Sequence, residues 1–102
     1  MVTGGAGGIG GAIVDTLNAA GFAIEVLDLE QCDLGDADSV RAAAAAIPRA
    51  DVLVHAAARF DQATLAEVEI DTWRRVQAVN VEAAVLLAQA FAPGMAERGW
   101  GR

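Results

Sequence analysis

Between Thr3 and Gly10 the chain reads Thr-Gly-Gly-Ala-Gly-Gly-Ile-Gly, and its first eleven residues hold six of its eleven glycines. A glycine-rich turn running into a helix N-terminus is a device for holding an anion. Unpaired backbone N–H groups and the positive end of the helix dipole converge there, and a pyrophosphate is the usual occupant. Gly5-x-Gly7-x-x-Gly10 has the form of the dinucleotide fingerprint, and Thr3-Gly4-x-x-x-Gly8-x-Gly10 that of a variant with a wider loop. Such a loop needs an acidic partner about 20 residues on, at the end of the next strand, to take the adenosine ribose. Asp28 stands there; Asp33, slightly further on, is the competing residue. A carboxylate at that place accepts from the ribose hydroxyls and repels the extra phosphate of NADP, so NAD is the expected cofactor.

These residues have to be positioned by regular elements. From Ile9 to Ala20 the apolar residues Ile9, Ala12, Ile13, Leu17 and Ala20 recur at spacings of three and four, and Gly21 falls where a left-handed cap belongs. The spacing predicts an amphipathic helix ending at Gly21. Phe22–Leu29 is too short for a helix and rich in Ile, Val and Leu, which predicts a strand ending near Asp28. Asp36 to Ser39 offer N-caps for a helix over Val40–Ile47, stopped by Pro48. Asp51–Ala56 is a continuous apolar run, the pattern of a parallel strand covered on both faces. From Asp71-Thr72 a long helix follows, with Trp73, Val76, Asn80, Ala84, Leu87 and Phe91 on one stripe, and Pro93-Gly94 expected to bend or end it. The alanine run 42–46 reads as helix, not as a low-complexity segment. Strands alternating with helices predict an α/β fold: a Rossmann-like, doubly wound parallel sheet.

The chain has 102 residues, 14 acidic and seven basic, for a formal charge of −7. All seven cations are arginine; the chain contains no lysine and no tyrosine. So little positive charge leaves no footprint for nucleic acid or anionic lipid, both of which need clustered cations. Cys32 is the single cysteine, which excludes an internal disulfide and a cysteine metal cluster and is the pattern of a cytoplasmic protein. Uninterrupted apolar runs stop short of about 18 residues, so no spanning helix and no signal peptide is expected.

Taken together, these residues resemble the short-chain dehydrogenase/reductase (SDR) family over essentially the whole chain. Thr3 to Gly10 is similar to the family's T-G-x-x-x-G-x-G cofactor loop, and Gly7 stands where NADP-preferring members often carry a basic residue. Cys32-Asp33-Leu34 is similar to the pair at which the family contacts adenine through a carboxylate and a backbone amide. The resemblance therefore gives that role to Asp33 and Leu34. Asp51 to Ala58 resembles the strand entering the family's N-N-A-G turn, with His55 and Ala56 in place of the asparagines and Ala58 in place of the glycine. Backbone contacts from Ala56, Ala57 and Ala58 to the cofactor are implied, and His55 is expected as a strand-end imidazole satisfied by backbone. Trp73-x-x-Val76-x-x-Val79-Asn80-Val81 resembles the helix that carries the asparagine of the family's Asn-Ser-Tyr-Lys tetrad, which gives Asn80 a catalytic role. The structural alternative is an asparagine that bonds neighbouring backbone, because an unpaired buried amide costs about 1 to 3 kcal/mol.

The resemblance implies hydride transfer between a nicotinamide cofactor and an alcohol or ketone, with the chain supplying a partial NAD(P)-binding domain over residues 1–102. With no Tyr, no Lys and a single serine, Ser39, the chain cannot itself supply the Ser-Tyr-Lys chemistry. The sheet is expected to be incomplete, truncated at both ends. Only Met1 and Val2 precede the loop, which would deprive both flanking strands of a central ladder partner. Between Asp28 and Gln31 there is no room for the crossover of about ten residues that another parallel strand requires. Either the intervening helix is deleted or one strand is vestigial. The alternatives to a dehydrogenase portion are a non-catalytic nucleotide-binding module and a degenerate remnant. The 72–92 helix could serve as a homo-oligomer surface, although its apolar face equally suits packing on its own sheet.

Overall fold

A computed structural model describes the whole chain, Met1–Arg102. Val2–Thr3 (β1) lies at the centre of a parallel sheet, flanked by Val26–Leu27 (β2) and Val54–His55 (β3) in the order β2-β1-β3. Val2 is opposite Val26 and Val54, and Thr3 is opposite Leu27 and His55. The expected loss of ladder partners is thus corrected. Val2 N–H donates to Glu25 O (2.8 Å) and Gly4 N–H to Leu27 O (3.0 Å), while Met1 O and Thr3 O accept from Val54 and Ala56 on the other side. A ladder is only as long as its shortest partner, so β2 and β3 are two residues each instead of the longer runs predicted from Phe22 and Asp51. On the outer side of β3, Arg102 N–H donates to Asp51 O and Leu53 N–H to Arg102 O, which starts a further parallel pairing.

Side chains alternate across this sheet. Val26 comes up beneath Gly5 beside Val14 of the helix Gly8–Ala19 (α1). Leu27 instead joins a core with Val40 and Ala44 of the helix Ala37–Ala46 (α2) and with Ala83, Leu87 and Phe91. Helices therefore cover both faces, as a doubly wound sheet requires. α1 ends where expected: Gly21 takes φ +86°, and the N–H groups of Gly21 and Phe22 return to Asn18 O and Leu17 O. α2 begins at Asp36, whose carboxylate accepts from Asp38 N–H (3.0 Å).

The crossover question is resolved by a turn. Gln31 and Cys32 N–H both donate to Asp28 O, and Gln31 Oε1 accepts from Asp28 N–H. No helix intervenes, and the chain passes directly from β2 through the buried residues Cys32 and Leu34 into α2.

The last helix departs from expectation in three ways. It runs unbroken over Ile70–Glu97, as Ile70–Gln77 (α3), a π-helical turn at Ala78–Glu82, and Ala83–Glu97 (α4). A π turn holds an extra residue, so the 3.6-residue phase read from Trp73 does not carry through it. Burial falls on Ala83, Leu87 and Phe91, not on Ala84, and Trp73 is half exposed. Pro93 sits inside α4, and the helix stops only at Gly99 (φ +70°), where Gly99 and Trp100 N–H cap Ala96 O and Met95 O. Finally, at 28 residues this helix is long and apolar enough to cross a bilayer by length and composition, which corrects the expectation from uninterrupted runs. In this fold its Leu87 and Phe91 are packed into the core beside α2.

Candidate cofactor-binding site

The C-terminal ends of the three strands open onto a cleft of about 500 Å³. Ligands of doubly wound sheets bind at this end of the strands. Gly4, Asp28, Asp33, Leu34 and the turn Ala56–Ala58 all line it, although they come from three separate stretches of chain.

Gly4 begins the glycine turn at φ +69°, and a Cβ there would stand 2.7 Å from Ala57 N and Cα. Only glycine lets the first loop lie against the turn after β3. A Cβ on Gly10 would strike the carbonyl of Gly4, so the start of α1 sits directly on the loop. Gly7 N–H closes the turn on Gly4 O (3.0 Å) and Gly11 N–H donates to Gly7 O (2.7 Å). The N–H groups of Gly8, Ile9 and Gly10 in the first turn of α1 have no intrahelical acceptor. Gly8, Ile9 and Gly10 do not line the cleft by their own atoms, although the adjoining Gly7 does, and Ile9 is exposed.

Asp28 reaches back to this turn: its Oδ2 accepts from Ala6 N–H at 2.8 Å, and Oδ1 carries no bond. The acid that the fingerprint assigns to ribose thus also ties the loop to the end of β2, a bond that the sequence gives no reason to expect. Asp33 Oδ1 accepts from Gly35 N–H (2.9 Å), and Arg75 Nη2 lies 2.7 Å from Oδ1 and 2.6 Å from Oδ2. The bond from Arg75, together with the Gly35 amide, holds the Asp33 carboxyl below the usual carboxylate range. The amide of Leu34 donates to no acceptor in the chain.

Thr3 is wholly buried, and its hydroxyl lies outside the cleft. It is 3.0 Å from His55 Nδ1 and accepts from Ala57 N–H (3.2 Å), so it braces the cleft wall from behind. The other nitrogen of His55, Nε2, is 3.0 Å from Val79 O within the π turn. Both ring nitrogens are satisfied inside the fold. Asn80 is likewise engaged. Its Oδ1 accepts from Arg59 N–H (2.8 Å) and its Nδ2 donates to Arg59 O (3.0 Å), so its amide clamps the segment that follows Ala58.

The fingerprint does not point to Arg59, Arg75 or Val79, all of which line the cleft. Nothing in local spacing could identify them, since Arg75 meets Asp33 across 42 positions of sequence. Both arginines are already paired: Arg59 with Asp61 (2.7 Å) and Arg75 with Asp33.

Residues 23–102 match the family model described as enoyl-(acyl carrier protein) reductase. The chain is 32% identical over 126 residues to D-threitol dehydrogenase of Mycolicibacterium smegmatis, an alignment covering 99% of this chain and 48% of the relative. It is 30% identical over 122 residues to D-xylose 1-dehydrogenase of Caulobacter vibrioides, covering 99% and 49%. Both alignments are longer than the chain, so these relatives carry residues in the matched stretch that it lacks. Among solved structures, the TT0495 protein from Thermus thermophilus superimposes with a TM-score of 0.83 at 37% identity, covering 99% of this chain and 52% of that one. A short-chain dehydrogenase from Streptomyces avermitilis gives 0.86 at 26% identity, covering 98% and 46%. The chain spans about half the length of the curated relatives it matches.

Proposed function

The chain belongs to the short-chain dehydrogenase/reductase family, whose members are oxidoreductases, and from that premise we propose that residues 1–102 form the NAD-binding portion of a dehydrogenase that moves hydride between nicotinamide and an alcohol or ketone. One observation carries this reading: the glycine turn at Gly4 and Gly7, the Asp28 carboxylate and the Asp33–Leu34 pair line a single cleft at the C-terminal ends of the strands, and Asp28 is bonded to that same turn through Ala6 N–H. The residue types fit a dinucleotide. Amides at the start of α1 suit a diphosphate, and the open Oδ1 of Asp28 suits a ribose hydroxyl. Asp33 Oδ2 retains an acceptor position beside the unpaired Leu34 N–H, a pair that suits the amino group and ring nitrogen of adenine.

NAD over NADP is supported by charge. Asp28 sets a carboxylate with an unbonded Oδ1 and no paired cation at the position assigned to the ribose, and Gly7 brings no cation. The two arginines in the cleft are neutralised by Asp61 and Asp33, which leaves no free cation for a second phosphate. When bound, the nicotinamide ring supplies the hydride chemistry. The residues of this chain bind and orient it, and the Ala56–Ala58 turn forms one wall of the cleft. The tyrosine and lysine of the family's tetrad are absent from these 102 residues, so proton transfer at the substrate oxygen is assigned to chain outside them. Asn80 contributes by holding Arg59, and with it the turn. Cytoplasmic residence is proposed on the single unpaired thiol, Cys32.

The test is titration of the purified chain with NAD and NADP while thermal unfolding is followed. A ligand that binds only the folded state raises the midpoint by mass action. A saturable rise with NAD, larger than with NADP, is expected, and Asp28→Ala should erase the preference. A chain that folds cooperatively yet shows no rise with saturating dinucleotide would overturn the reading.

A further inference from the structure

We propose that Arg75, which no fingerprint assigns, is a positioning residue that gives the nucleobase end of the cleft its preference for adenine; the inference rests on the cofactor reading above. Three observations carry it. The first is the bonding of Asp33. Oδ1 is filled by Gly35 N–H and Arg75 Nη2, while Oδ2 takes Arg75 Nη2 at 2.6 Å and keeps one acceptor position. The guanidinium thus consumes the alternatives and leaves a single direction in which Asp33 can accept.

The second is Arg75 Nη1, which donates to Gly35 O at 3.2 Å, so that one side chain grips both the acid and the backbone two residues on. Asp33 N–H is already given to Ser39 Oγ (3.0 Å) and Asp33 O to Asp36 N–H (3.0 Å), which leaves the adjoining Leu34 amide as the open donor of this turn. The third is Gly35 itself. Its φ is ordinary, yet a Cβ there would run into the Arg75 guanidinium, so glycine at this position is accounted for by the arginine lying across it.

The result is one fixed acceptor beside one fixed donor. Adenine offers the complementary edge, an amino group to donate and a ring nitrogen to accept. Hypoxanthine, with a carbonyl and a ring N–H, offers the reverse at the same size. Without Arg75 only the Gly35 N–H restrains the Asp33 carboxylate, each oxygen regains the acceptor position that the guanidinium filled, and binding loses much of its dependence on which edge arrives.

The experiment compares the affinity of the full chain for NAD and for nicotinamide hypoxanthine dinucleotide, by calorimetry. The wild-type chain should bind NAD on the order of tenfold more tightly, the discrimination of one charge-assisted hydrogen bond in a half-exposed setting. Arg75→Met should lower NAD affinity toward that of the hypoxanthine dinucleotide, with the latter little changed, and Arg75→Lys should fall between. General loosening of the fold would weaken both ligands alike and leave their ratio intact. Gly35→Ala, which displaces the guanidinium without removing any charge, should reduce the ratio in the same way and serves if Arg75→Met does not fold. A folded Arg75→Met or Gly35→Ala chain that keeps the wild-type ratio overturns the proposal, as does a wild-type chain that binds both dinucleotides equally; in either case the cofactor reading stands. A wild-type chain that binds neither removes both.

Discussion

The imidazole of His55 spans the gap between β3 and the last helix, with Nε2 3.0 Å from the carbonyl of Val79 and Nδ1 3.0 Å from the hydroxyl of Thr3. Val79 O can only accept, so Nε2 carries the proton; Nδ1 then accepts from Thr3, whose oxygen is still available to Ala57 N–H. One side chain thereby joins the central strand, the wall of the cleft and the π turn.

Replacement of His55 by leucine should leave the hydroxyl hydrogen of the wholly buried Thr3 without its acceptor and the Val79 carbonyl without the imidazole N–H, while Thr3 keeps only the bond from Ala57 N–H. The expected loss is about 1 to 3 kcal/mol of stability, the cost of stranding buried polar groups. Urea denaturation measures it. A midpoint unmoved by His55→Leu would mean that this bridge contributes nothing to the fold.

Gly4 and Gly8 lie four positions apart in the same loop and should respond in opposite ways to alanine. At Gly4 the substitution meets both a left-handed φ of +69° and the Ala57 backbone, and should cost more than about 2 kcal/mol and abolish NAD binding. At Gly8, the first residue of α1, a Cβ meets nothing within 4 Å, and the change should be neutral or stabilise by up to about 1 kcal/mol. Thermal melts of the two variants, with and without NAD, check the contrast.

Asn80→Ala should release the Arg59 backbone, whose N–H and C=O both bond the Asn80 amide. These bonds are solvent-accessible, so a loss of about 1 kcal/mol is expected, with weaker NAD binding because the 56–59 segment is no longer held. Asn80→Asp should be no better than alanine in recovering stability, since a second carboxylate oxygen would face Arg59 O. Hydrogen exchange at the Arg59 amide reads the local effect directly: faster in Asn80→Ala, which removes its acceptor, if the clamp is real, and unchanged if it is not.

The depressed titration of Asp33 makes a statement about acid stability. Arg75 and the Gly35 amide favour the carboxylate only in the folded chain, so the unfolded chain takes up the proton first as pH falls. The stabilisation is complete above the ordinary carboxylate range and disappears as pH drops through the lower folded value. The pair is half exposed, which limits its worth to about 1 kcal/mol. Denaturation of the wild-type chain and Asp33→Asn should therefore differ near neutral pH and converge once the pH has fallen well below the ordinary carboxylate range; a gap that widens in acid would contradict the assignment.

Local chemistry made much of this molecule readable from its residues. The glycine turn, the Gly21 cap, the Asp36 cap and the alternation of apolar segments are each written within a few neighbouring positions, because caps, turns and periodicity are short-range effects. The placement of Asp28 at the end of β2 was readable for the same reason. Tertiary structure decided the rest. The strands are two residues long because each ladder depends on a partner elsewhere in the chain, and the buried stripe of the last helix moves to Ala83 because a π turn forms where His55 meets Val79. Arg75 on Asp33 and Asn80 on Arg59 join residues 42 and 21 positions apart, and such contacts leave no periodic trace in a sequence: they exist only once packing has brought separate elements to the same cleft.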